Sequence, residues 1–163
     1  MALILRTGVK FGLTALLAYL AGYYFSLAMH PETALIGGLW AVISAIVVSD
    51  PDILAQNMQA ARDRIIGSII GSIFAAPYLL YLPFSAASFA MLVMLNTCTC
   101  VIFGLTRHVK LANITLAVII IVSTVSNIDP VLNSVLRLVE SILGIIAGVF
   151  VAFLFQWAAK LQK

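Results

Sequence analysis

Long unbroken apolar runs, such as TLAVIIIVSTV at 115–125, decide the class of this chain before any other feature does. A sheet barrel alternates lipid-facing apolar residues with lumen-facing polar ones, and these runs do not alternate. Helices, which satisfy their own backbone groups, are therefore the spanning elements. A span takes about 20 apolar residues, so 163 residues leave room for roughly six of them and little else. Charge agrees: 9% of residues are charged, against about 25% in a soluble domain.

Charges and turn residues divide the runs into six predicted helices at 9–28, 34–48, 65–82, 84–105, 112–126 and 131–159. Pro31, Pro51, Pro83 and Pro130 fall in or beside the breaks, while Pro77 lies inside the third helix as a potential kink. The second helix is short, either extended by its flanks or broken. Arg6 and Lys10 ahead of an apolar run, with Ser-Leu-Ala before Met29, also fit a signal peptide. Reading that run as a first span preserves the symmetry set out below.

Basic residues orient the bundle. Arg6 and Lys10, Arg62 and Arg64, Arg107 and Lys110, and Lys160 and Lys163 all fall on one side of six spans, which makes both termini cytoplasmic. Arg137 alone among the nine Lys and Arg residues falls on the far side. Topology accounts for the net charge of +3, so no nucleic-acid partner is implied.

Asp63, Gly67, Gly71 and Ala75 run at four-residue intervals, and Glu140, Gly144, Gly148 and Ala152 repeat them 77 residues later. Upstream, Asp50-Pro51 and Asp129-Pro130 correspond with a two-residue shift. The expected architecture is one transmembrane domain over 1–163, built from two three-helix repeats at about 1–83 and 84–163. An odd number of spans per repeat inverts the second copy in the membrane. Gly67, Gly71, Gly144 and Gly148 let helices approach closely, and are expected to pack the third and sixth helices together or against a second subunit. Six spans with one seam per half enclose little space, so the expected working unit is a two-fold homodimer in the lipid bilayer.

LWAVISAIVVSDP at 39–51 and RIIGSIIGS at 64–72, with VLNSVLRLVESILGIIAGVFVAFLFQW at 131–157, resemble the fusaric acid resistance (FUSC) and aromatic acid exporter superfamily, to which plant aluminium-activated malate transporters are related. Asp50 stands where Gln or Glu is usual. The resemblance implies a multi-pass protein of the bacterial inner (plasma) membrane that moves small organic, often aromatic, acid anions. The alternative is a non-transporting membrane subunit that completes or regulates a larger transporter.

Ionisable groups inside a bundle are costly and tend to face a cavity or each other. On a helical wheel Arg64 lies about 100° from Asp63 and Arg137 about 60° from Glu140, while Arg62 points away. Arg64 and Arg137 are therefore the candidates for holding a carboxylate, one near each mouth, by bidentate hydrogen bonds. Pairing with the neighbouring acid, or snorkelling to headgroups, is the competing role. Asp63 and Glu140 are candidates for carrying a coupling proton. Trp40 either stacks on an aromatic substrate or anchors at the interface, and Asn96, in the polar turn with Thr97 and Thr99, either contacts substrate or bonds between helices. His30 and His108 lie near membrane edges, and Cys98 and Cys100 point to different faces of one helix, so no metal site is expected. No catalytic signature and no cofactor motif is present, and an enzyme is not expected.

Overall fold

A computed structural model describes residues 2–49, 53–126 and 128–161. Its elements are α1 (Ala2–Met29), α2 (Ala34–Ser49), α3 (Leu54–Tyr81), α4 (Ala86–Ile102), α5 (Val109–Ser126) and α6 (Pro130–Leu161). Short 3-10 turns, Pro31–Thr33 and Thr106–His108, lead into α2 and α5. There is no strand among the described residues.

Among the described residues six α-helices stand where six apolar runs predict them; five are long and apolar enough to cross a membrane, and α4 is the shorter sixth, with 17 residues. At 1.5 Å per residue it spans about 26 Å, a little under the roughly 30 Å of a hydrocarbon core. Its ends explain its length. Ser85 caps the first turn, accepting from Ser88 N at 3.1 Å while Ser88 Oγ accepts from Ser85 N at 3.2 Å. At the other end Gly104 takes φ +70, and Leu105 N closes back on Cys100 O at 2.7 Å. A side chain resists that left-handed turn and glycine does not.

The largest boundary difference is at α3, which begins at Leu54 rather than at residue 65. The extra turns are polar, and the apolar signal is blind to them. Pro77 sits inside α3 without ending it; its ring removes the amide that would bond to the carbonyl one turn earlier. The second helix is a single helix, preceded by the Pro31–Thr33 turn. Asp129 caps α6, accepting from Val131 N at 3.0 Å and Leu132 N at 2.9 Å, with Pro130 at the first helical position. Its sequence counterpart Asp50-Pro51 lies outside the described residues.

The chain divides into two compact units, Met1–Arg62 with Glu140–Lys163, and Asp63–Val139. In the first, α1 packs on α2, and Ala18, Ala41, Ala45 and Ala147 form a buried cluster against which Val42 packs. Small side chains bring backbones together here: a Cβ on Gly22 would stand 2.5 Å from Gly37 O. In the second, α4 packs on α5, around a bulkier core of Ala75, Tyr78, Leu116, Ile119 and Ile120.

Candidate functional site

The third helix of each half begins in the same way. Asn57 on α3 is fully buried and its Nδ2 donates to Val48 O, near the end of α2, at 2.7 Å. Asn133 on α6 is fully buried and its Nδ2 donates to Ile119 O of α5 at 3.0 Å, and to Ser123 Oγ at 2.8 Å. Each helix is thereby fastened to the one just before it in the chain. Gln156 extends the Asn57 contact, its Nε2 donating to Asn57 Oδ1 at 3.0 Å.

The acids and glycines that follow then meet a different helix. In the second unit, a Cβ on Gly67 would lie 2.6 Å from Leu111 Cβ, and one on Gly71 2.5 Å from Ala112 O, so the α3 seam rides on α5. In the first unit, a Cβ on Gly144 would strike the backbone of Ala41, and one on Gly148 would lie 2.6 Å from Ala45 O, so the α6 seam rides on α2. The seam on α3 is thus covered by α5 and that on α6 by α2, an arrangement that the four-residue spacing does not disclose.

The acid at the head of each seam is held by a side chain from another part of the chain. Asp63 Oδ2 accepts from Arg107 Nε at 2.7 Å, and its Oδ1 lies 3.7 Å from Nδ1 of His108, an ion-pair distance rather than a hydrogen bond. Arg107 is well exposed, so solvent or headgroups screen that pair. Glu140, fully buried, accepts from Ser26 Oγ of α1 at 2.5 Å. Gly37 of α2 makes room for it, since a Cβ there would stand 2.7 Å from Glu140 Oε1 and overlap Ser26. The described ion partner of Asp63 is thus a residue distant in sequence, and Glu140 has a hydroxyl donor that charge spacing alone does not suggest.

Both candidate arginines are fully buried, and Arg62 is exposed. Each begins or continues a polar line at four-residue steps on its own helix: Arg64, Ser68 and Ser72 on α3, and Asn133, Arg137 and Ser141 on α6. On α1, Lys10, Thr14 and Ser26 fall on one buried face in the same way. These serines, threonines and asparagines are what the sequence reading missed. Their signal was present as Arg-x3-Ser-x3-Ser inside RIIGSIIGS, which the adjacent glycines obscured.

Trp40 is 2% exposed, within the first unit. The ring is enclosed by the bundle rather than turned to its surface. Asn96, buried on α4, donates through Nδ2 to Asn113 Oδ1 of α5 at 2.6 Å, and Asn113 Nδ2 donates to Thr97 Oγ1 at 2.9 Å. These are bonds between helices. Oδ1 of Asn96 has no hydrogen-bond partner among the described residues. Among the described residues no group of three or more His, Cys, Asp and Glu side chains could hold a metal. Cys98 and Cys100 are free thiols.

The units distribute the candidates. Asp63, Arg64, Gly67, Gly71, Asn96 and Arg137 belong to the second, and Trp40, Glu140, Gly144 and Gly148 to the first. Compared with protein families, residues 13–151 match the model described as fusaric acid resistance protein-like. No curated protein and no solved structure matches the chain.

Proposed function

The chain belongs to the fusaric acid resistance protein-like family, and from that membership we propose that it is a transporter or channel of the inner membrane that moves small organic acid anions, aromatic ones among them. The observation that carries the reading is the pair of fully buried arginines, Arg64 and Arg137, on helices of a multi-pass membrane protein. A guanidinium at that depth is retained for an anionic partner, and its planar fork fits a carboxylate bidentately.

Matched contacts support two inverted halves. Asn57 and Asn133 fasten their helices alike, and the glycines of each seam cross a second helix at successive turns. Inversion places both termini in the cytoplasm with the clusters around Arg64 and Arg107, and places Arg137 on the outer side. Asp63 and Glu140 are the groups available for proton coupling. The working assembly in this reading is a two-fold dimer.

The test is purified protein, alone, in liposomes, assayed for uptake of labelled benzoate and for carboxylate current. Flux from the single species is the expected result. Protein that folds and inserts but carries no carboxylate would overturn the reading and favour a non-transporting subunit.

A further inference from the structure

The chain has two histidines, and both stand at the turns that lead into a helix: His30 just before Pro31–Thr33 and α2, His108 at the end of Thr106–His108 and the start of α5. His108 is 9% exposed. Its Nδ1 is a buried atom with no hydrogen-bond partner among the described residues, and the carboxylate of Asp63 on α3 faces it, Oδ1 to Nδ1, at 3.7 Å. The other oxygen of Asp63 is occupied, accepting from Arg107 Nε at 2.7 Å. One oxygen and one nitrogen are thus aimed at each other just beyond bonding distance, within the second unit.

What lies between them depends on a proton. Neutral imidazole with its hydrogen on Nε2 turns a lone pair towards the carboxylate and is repelled, whereas imidazolium carries N–H at both nitrogens and is attracted. A charge-assisted bond is about 2.7–2.9 Å long, so protonation would close the gap by about 1 Å. The remaining charges near the pair are cations: Arg62 and Arg64 flank Asp63 in sequence, Arg107 precedes His108, and Lys110 lies in the first turn of α5. The other helix packed on the turn, α4, has no charged residue, and its titratable side chains are the thiols Cys98 and Cys100. Asp63 favours a further positive charge and the cations oppose it, a balance under which a proton is given up as well as taken. The side chains of His108 and Asp63 are 11% and 13% exposed, which leaves them a route to water. The pair also sits at the head of a packed seam. Gly67 follows Asp63 by one turn and Leu111 follows His108 by about one, and a Cβ on Gly67 would lie 2.6 Å from Leu111 Cβ.

We propose that His108 and Asp63 form a proton-binding pair: His108 takes up a proton from water and donates Nδ1–H to Asp63 Oδ1, which draws the turn before α5 onto the head of α3. The use of this pair as the coupling site of a transporter rests on the anion-transport reading; in it the proton resides on His108, and Asp63 stays a carboxylate.

The experiment follows the ring resonances of isotope-labelled histidine with pH in detergent-solubilised protein, with His30→Asn removing the second signal. Asp63→Asn should lower the proton affinity of His108 about tenfold, and Arg107→Gln, at an exposed position, should raise it. A titration that Asp63→Asn leaves unchanged overturns the proposal. Should that variant fail to fold, an affinity that Arg107→Gln leaves unchanged or lowers overturns it equally. In liposomes, the carboxylate current of wild type should vary several-fold between about pH 6 and pH 8, and the variation should be lost in His108→Asn, whose amide keeps a donor at the Nδ1 position and does not titrate. The same pH profile in both overturns the coupling role. Wild type that passes no carboxylate current, yet shows the Asp63-dependent titration, overturns the transport reading and leaves the proton site standing.

Discussion

Arg64 and Arg137 differ in what stands near them on their own helices. Glu140 lies one turn after Arg137, whereas Asp63, beside Arg64, is engaged by Arg107. Arg64→Gln is therefore expected to lower carboxylate flux by about tenfold or more with little loss of folded protein, and Arg64→Lys to recover only part of it, since a point charge replaces a fork. Arg137 and Glu140 are three residues apart on α6, so the informative set is Arg137→Gln, Glu140→Gln and the double variant, read for both flux and thermal midpoint. Normal flux in the double variant would end the case for Arg137 as an anion contact and leave it a partner for Glu140. Gly37 gives a sharper steric case. Gly37→Ala puts a methyl onto Ser26 and against Glu140, at an expected cost of about 1–3 kcal/mol. Gly12→Ala on α1, with nothing within 4 Å of the added carbon, should be neutral or slightly stabilising. Equal midpoints for these two variants would mean that the Ser26–Glu140 contact does not require the glycine.

Helices rather than side chains carry the seams, and the seams predict how elements respond to bulk. Gly144→Val and Gly67→Val each drive a branched side chain into a neighbouring helix, Ala41 in one case and Leu111 with Ala112 in the other. Both obstacles are fixed by backbone, but the overlap with Ala41 at Gly144 is the closer, the nearest atom at Gly67 being Leu111 Cβ at 2.6 Å. Gly144→Val should therefore be the more damaging, seen as a lower yield of monodisperse protein on size exclusion. The reverse order would argue against the α2 contact. At this scale much was legible: apolar runs mark helices because lipid leaves a spanning backbone no other way to satisfy its groups. What was not legible has a physical cause too. The turns before residue 65 of α3 are polar because they hold Asn57 and its contacts, so hydropathy passed over them. Four-residue glycine spacing states that some helix must come close, and nothing in it says which. Charge spacing set Arg64 beside Asp63 and gave no sign of Arg107, which the turn before α5 brings to the carboxylate.

For the molecule as a whole, orientation is the prediction that needs no substrate. In a background lacking Cys98 and Cys100, single cysteines at Glu32 and Asp129 should react with an impermeant thiol reagent from outside intact cells, and one at Lys110 should not. Labelling of Lys110 with protection of Glu32 would preserve the helix count and reverse the orientation. The crossing of α3 from its own neighbour α2 onto α5 has a further consequence, for the order in which the polypeptide is made. When α3 leaves the ribosome its first turns can dock at once through Asn57, but the surface its glycines require has not been synthesised. Until α5 arrives, a helix bearing Asp63 and Arg64 must wait at the insertion machinery with that face uncovered, whereas α6 emerges after α2 and finds it already in place. Nascent chains halted before α5 should accordingly remain associated with the translocon and be open to proteolysis, and those halted within α6 should be neither.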